Sequence, residues 1–300
     1  MIIFLVVGNL ASIFVRLDRQ ASKILGVTPP PEHAVPLAVS ETTFHELDTE
    51  LTYMLNNLLL FRQTKADVHS RQYPGTVPLD LLLEAKGLDQ ELRQYHAQIL
   101  PPDTTTSPKY VLYSSPEDAY LRMRFLMGII LSTRSLYAEE TVYDTLLDEF
   151  SAIMDYSAFL LQEQDRVLTG RSSKNVSPST HPEVAYMTAI VQPLYITACK
   201  CRSSTMRRRA IALMGEASRF EEVHSADMHA AIGRRIMQLE EESLGEAQAD
   251  DPAAVPEWCR IHAVRIRPAG AEAKFAEVIF QYRPNGMDGE WSELLEVVFW

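Results

Sequence analysis

Apolar residues recur in this chain at intervals of three and four for most of its length, and that period commits it to helices. Between residues 40 and 63 they fall at Phe44, Leu47, Leu51, Met54, Leu55, Leu58 and Phe61, one stripe of an amphipathic helix. Residues 78–100 carry a second stripe of Leu81, Leu82, Ala85, Leu88, Leu92, Tyr95 and Ile99. Pro78 suits its first turn, and Pro101-Pro102 ends it, because proline lacks the amide a helix interior needs. Ser115-Pro116-Glu117-Asp118 marks a third start, with a capping hydroxyl, a first-turn proline and two acids against the helix dipole. Tyr120, Leu121, Phe125, Gly128 and Ile129 follow it. A fourth helix is expected from near Thr141, carrying Leu146, Leu147, Phe150, Ile153, Met154, Leu160 and Leu161. Residues 203–217 and 225–244 predict two more, the last ending in Glu240-Glu241-Glu242 as a solvated end.

Three stretches depart from this pattern. Residues 1–15, MIIFLVVGNLASIFV, are uncharged but shorter than the ~20 residues of a membrane span. No basic group precedes Arg16, as a secretory signal would require, so a buried helix is expected. Residues 169–181, TGRSSKNVSPSTH, have no apolar period and are expected to form an exposed loop. Residues 184–201 are strongly apolar but contain Pro193, which should break or kink a helix.

The tail changes period. Residues 249–256 are rich in alanine and proline and are expected to be a linker. Residues 260–267 then alternate apolar and basic side chains, and residues 274–282 form a second β-like run across Pro268-Ala269-Gly270, together a β-hairpin. The expected architecture is mainly α, a multi-helix array (an irregular bundle or solenoid) with a small C-terminal β-hairpin. Residues 1–248 would form the helical domain, 249–256 a linker, and 257–300 a hairpin tail packed on the helices.

The balance of 28 basic against 40 acidic residues gives a formal charge of −12, which disfavours direct contact with phosphates. Three cysteines, Cys199, Cys201 and Cys259, are too few for a disulfide framework and supply no second ligand pair for tetrahedral zinc. The sequence contains no glycine-rich phosphate loop, no nucleophile elbow and no His-Glu-x-x-His pair. His224 and His229, with Glu221 and Glu222, are spaced by five, whereas ligands sharing one helix face need three or four; they are expected at a capped helix entrance. Asp250-Asp251 is followed at once by Pro252 and belongs to the linker. Arg207-Arg208-Arg209 is the one dense basic run, expected as the wet face of a helix whose other face carries Met206, Ala210, Ile211, Leu213 and Met214. No catalytic, cofactor-binding or metal-ligating residue is expected, and hence no cofactor.

Several phrases resemble one family. Phe14-Val15-Arg16-Leu17-Asp18-Arg19-Gln20-Ala21, Pro193-Leu194-Tyr195-Ile196-Thr197-Ala198-Cys199-Lys200-Cys201-Arg202, and Arg207-Arg208-Arg209-Ala210-Ile211-Ala212-Leu213-Met214 occur in this order. Ile232 to Glu242 and Trp258-Cys259-Arg260-Ile261-His262 follow. Together they resemble the C-terminal regulatory region of fungal binuclear zinc-cluster (six-cysteine) transcription factors. The zinc-cluster module itself has no counterpart, since all three cysteines lie after residue 198. The resemblance implies an all-helical regulator in the nucleus, not an enzyme, often controlling secondary-metabolite genes. Its expected partners are transcriptional co-regulators or a second copy of itself, with DNA reached only through the missing module and no membrane. It also implies that Lys200, Arg202 and Arg207 to Arg209 border the surface, and that Cys199 and Cys201 face the core. The alternatives are a helical small-molecule-binding or accessory protein, or a non-functional truncated paralogue.

Overall fold

The structure, a computed structural model, describes residues 44–72, 77–99, 115–135, 137, 139–171, 183–220, 225–242, 251–270, 273–286 and 289–300. The apolar residues 1–15, the Phe14-Val15-Arg16-Leu17-Asp18 phrase, most of the expected 169–181 loop, Glu221, Glu222, His224 and Asp250 lie outside these residues. Eight α-helices and one three-stranded antiparallel sheet make up the described part. It is mainly α with a C-terminal β element, as the period of the sequence predicts.

Helix α1 (Phe44–Phe61) buries Leu51, Met54, Leu55, Leu58 and Phe61 from the expected stripe. It runs on through a π-helical segment (Arg62–Ala66) into α2 (Asp67–Gln72). Helix α3 (Leu79–Ile99) follows, with Ala85, Leu92 and Tyr95 buried. Both α1 and α3 pack on α4 (Pro116–Ser135), which starts where the sequence places it: the Ser115 hydroxyl accepts the Asp118 amide at 3.2 Å. Besides Tyr120, Leu121, Phe125 and Ile129, the structure buries Met123, Leu126, Met127, Ile130 and Leu131, so α4 is covered nearly all round. A helix covered on every side is the centre of its layer. Gly128 sits at the crossing with α1 and α3, where a Cβ would lie 2.7 Å from Leu92 Cδ2 and 2.8 Å from Leu55 Cδ2, both movable side-chain tips.

The expected fourth helix divides into a 3₁₀ segment (Glu140–Thr145) and α5 (Leu147–Arg171). Helix α5 joins the first layer to a second one made of α6 (Glu183–Lys200), α7 (Ser204–Ala217) and α8 (Ser225–Glu241). Pro193 does not break the helix: α6 continues through it. An interior proline costs about 3 kcal/mol. Each fully buried aliphatic contributes roughly 1.5–3 kcal/mol, and Ile190, Val191 and Leu194 around the proline are all 2% exposed or less. Their burial between α5 and the α7–α8 pair outweighs the lost hydrogen bond. The Thr197 hydroxyl donates to the Pro193 carbonyl at 2.9 Å.

The tail forms β1 (Ala263–Pro268), β2 (Phe275–Tyr282) and β3 (Ser292–Phe299) in the order β1-β2-β3. The predicted hairpin is therefore present and a third strand extends it. Val264 faces Phe280 across the first ladder, and Phe280 faces Leu294 across the second. The strand period of two puts Val264, Ile266, Ala276, Val278, Phe280, Leu294 and Val298 on one face, all packed into the core. Glu296 on that face takes a two-pronged ion pair from Arg235 of α8, both contacts at 2.6 Å. The opposite face leaves Leu295, Val297 and Phe299 50–71% exposed. Pro284 and Asn285 form a tight turn after β2, closed by the Gly286 amide on the Arg283 carbonyl at 3.1 Å with Gly286 at φ 78°, a conformation that favours glycine.

Candidate functional site

The most unusual region of the fold is a network of buried charges where α4, the 3₁₀ segment, the α6–α7 corner, the end of α8 and the tail meet. Helix α6 ends at Lys200, and Ser203 caps α7 by accepting the Met206 amide. This short corner turns Arg202 and Arg207 inward, and both are 0% exposed. Their common partner is Glu240, also 0% exposed. Arg202 donates to one carboxylate oxygen of Glu240 at 3.0 Å, and Arg207 donates to the other. The Ile261 amide adds a third donor to Glu240 at 2.7 Å. Arg207 also donates to the Cys201 carbonyl.

A second acid, Glu140, is 1% exposed and collects cations from three directions: Lys200 at 2.7 Å, Arg134 at 3.3 Å and Arg202 at 3.3 Å. Lys200 completes its set of acceptors with the Ile261 and His262 carbonyls, both at 3.0 Å. Arg202 thus bridges Glu140 and Glu240 and makes one network of them.

The segment expected as a linker is part of this junction in its described portion. Arg260, 1% exposed, grips the Asp144 carboxylate at 2.8 and 2.6 Å and donates to the Val255 and Pro252 carbonyls at 2.9 and 3.0 Å. The Glu257 carboxylate accepts the Glu140 and Thr141 amides at 2.9 and 3.1 Å, capping the 3₁₀ segment from far along the chain. His262 lies 3.1 Å from Glu257 and 4.0 Å from Glu140.

Burial alone raises the pKa of a carboxyl. At Glu140 that effect is overcome by Lys200, His262, Arg134 and Arg202, and the group sits far below the usual carboxylate range. At Glu240 burial is overcome by Arg202 and Arg207, again holding the carboxyl low. Acids clamped in the ionised state by hydrogen-bonded cations are poor general bases. Burial pushes the Cys199 thiol up to about 12 and raises Cys201 as well, so neither is a nucleophile near neutrality. Among the described residues no group of three or more His, Cys, Asp and Glu is placed to hold a metal ion. No described helix is long and apolar enough to cross a membrane.

Three expectations from the sequence are corrected here. Glu240 was expected at a solvated helix end, Arg207 on a wet face and Arg202 at the surface; all three are sealed inside. Arg208 and Arg209 do face solvent, with side chains 60% and 45% exposed. Cys199 and Cys201 are buried, as expected. His229 packs edge-on against Tyr195 with ring centroids 4.7 Å apart. The Asp251 side chain accepts the Ala253 amide at 3.0 Å, capping a 3₁₀ turn, Pro252–Ala254. The sequence did carry a signal for the network: charges inside otherwise apolar phrases, as at Lys200 and Arg202 flanking Cys201.

Beside the network lies a cavity of about 130 Å³. Arg62, Asp67, Arg134, Glu140, Lys200 and His262 form its polar wall, and Tyr143, Tyr195, Ile196, Ile236 and Trp291 contribute to its apolar wall. Trp291 is fixed by the Arg283 guanidinium, 4.1 Å from its ring centre, and meets the His262 ring edge-on at 5.1 Å.

No protein-family model, curated protein or solved structure matches this chain.

Proposed function

We propose that this chain is the regulatory region of a transcription regulator of the fungal zinc-cluster type, working in the nucleus through protein contacts and controlling genes of secondary metabolism. In this proposal DNA is read by a zinc-cluster module that the sequence does not contain, and the chain supplies the effector function. The observation that carries it is the convergence of the resembling phrases. Arg202 ends one, Arg207 begins another, Glu240 lies in the third, and Arg260 to His262 close the last. These segments, dispersed in sequence, supply the core of the buried network. Each of the resembling phrases that falls within the described residues therefore contributes a member to the network.

Two further observations support a binding role over a catalytic one. The carboxylates of the network are held ionised by fixed partners. The outer face of the sheet presents Leu295, Val297 and Phe299 to solvent, and exposed apolar patches are common at protein-contact sites.

The test is to fuse the chain to an unrelated DNA-binding domain and measure a reporter carrying that domain's site in a fungal host. A change in transcription is expected. It should be lost in Leu295→Asp/Val297→Asp while the fusion remains folded by circular dichroism. A folded fusion that leaves the reporter at the level of the DNA-binding domain alone would overturn the proposal.

A further inference from the structure

We propose that the cavity beside the charge network binds a small organic carboxylate with a single ring or a short aliphatic body. The inference rests on the cavity's size, lining and charge, and is independent of the transcriptional proposal. A volume of about 130 Å³ is close to the ~150 Å³ of an engineered cavity that takes up benzene and well below a drug-sized pocket of roughly 300 Å³ or more. The occupant is therefore limited to about one ring.

The sign of its charge follows from the wall. Arg62, Arg134 and Lys200 are set against Asp67 and Glu140, which leaves one permanent positive charge in excess. Glu140 has no capacity left for a cationic guest, because Lys200, Arg134 and Arg202 already share its two oxygens. Asp67 faces Arg62 at 3.6 Å, and the Tyr143 hydroxyl is a second partner. Arg62 is therefore the wall cation with the longest carboxylate pairing, and a guanidinium suits a carboxylate's two oxygens. His262 lies 3.1 Å from Glu257, which is off the wall.

The body of the guest is specified by the remaining surface. The rings of Tyr143, Tyr195 and Trp291 and the branched side chains of Ile196 and Ile236 line the rest of the space. Such a surface favours an apolar group over a second ionic one. Because the wall draws on α4, α6, α8, the π-helical segment and β1 together, a guest that fits it bridges both helical layers and the tail.

Benzoate is a direct probe, measured by calorimetry and thermal shift on the full chain, with benzylamine and inorganic phosphate as comparisons. Benzoate should bind and raise the melting temperature, whereas benzylamine should not bind. Arg62→Gln changes a partly exposed residue outside the Glu140–Glu240 core and should weaken benzoate by about tenfold or more. Ile196→Phe fills the cavity from a half-buried position and should abolish binding. Circular dichroism identifies folded variants; if Ile196→Phe does not fold, Ile196→Met replaces it and should weaken binding. The proposal is overturned if benzoate fails to bind at about 10 mM, or if benzylamine binds as well as benzoate. It is equally overturned if phosphate displaces benzoate at equal concentration, which shows a bare anion site, or if the folded filled variant still binds.

Discussion

Glu240 and Glu241 are neighbours in sequence that differ in burial, 0% against 12% exposed side chains. Glu240 is sealed between Arg202 and Arg207, while the Glu241 side chain reaches the edge of the network, 3.6 Å from Arg207 and 3.8 Å from the exposed Arg208. Removing one member of a buried ionic group costs about 3–5 kcal/mol, because the other is left charged and dry, whereas an exposed pair contributes about 0–1 kcal/mol. Urea denaturation of Glu240→Ala should show a loss in the first range, and Arg209→Ala, at the exposed pair with Asp155, a loss in the second. Equal costs at the two positions would contradict the network as described. The thiols follow the same division between inside and edge. Cys259 is half-buried and the other two are buried, so Cys259 should react first with a thiol reagent, and Cys199 and Cys201 only as the chain unfolds. A native protein that titrates all three thiols at one rate would show that the α6–α7 corner is open.

At the scale of elements, α4 decides the first layer. Gly128 marks where α1 and α3 come closest to its backbone, with side-chain tips of Leu55 and Leu92 as the nearest atoms. A methyl group can push such tips aside, and alanine favours helix by about 0.5–1 kcal/mol over glycine, so Gly128→Ala should be close to neutral. Gly128→Leu has no space to enter and should cost about 1–3 kcal/mol; thermal melts of the two variants separate these outcomes. This contact could not be read from the sequence, because it is made by residues 92 and 128, on different helices. What could be read were elements with their own local signal. The Leu51 to Phe61 stripe, the Ser115 cap and the turn after Tyr282 each depend on residues within one or two turns of one another. Pro193 misled for the same reason: its local cost is real, but the packing that overcomes it comes from three other helices. The network was hidden because charge is normally read as solvation, and apart from Arg134–Glu140 its arginine and lysine ion pairs are separated by 33 to 116 positions.

For the whole molecule, the buried acids set the response to pH. A carboxyl whose folded pKa lies below its unfolded value adds stability that is fully present above the unfolded value of about 4.3 and is lost as pH falls through the folded one. Glu140, Glu240, Glu257 and Glu296 are all held low, so stability should fall steeply below that point. His96 adds an earlier, shallower phase. Burial, with Arg122 and Arg93 nearby, lowers it from 6.5 to about 4, and it stacks on Phe125 at 4.0 Å. The unfolded chain then takes up a proton at His96 that the folded chain refuses, and stability declines as pH drops from about 6.5 towards 4. Denaturation midpoints across pH should show both phases, and His96→Gln should remove only the first. The bond from Arg260 to the Glu140 carbonyl spans 120 positions. At translation rates of about 5–20 residues per second, Glu140 is therefore added to the chain some 6–24 s before the arginine that completes its surroundings, and the nascent helices must stay soluble through that interval with part of their ionic keystone missing.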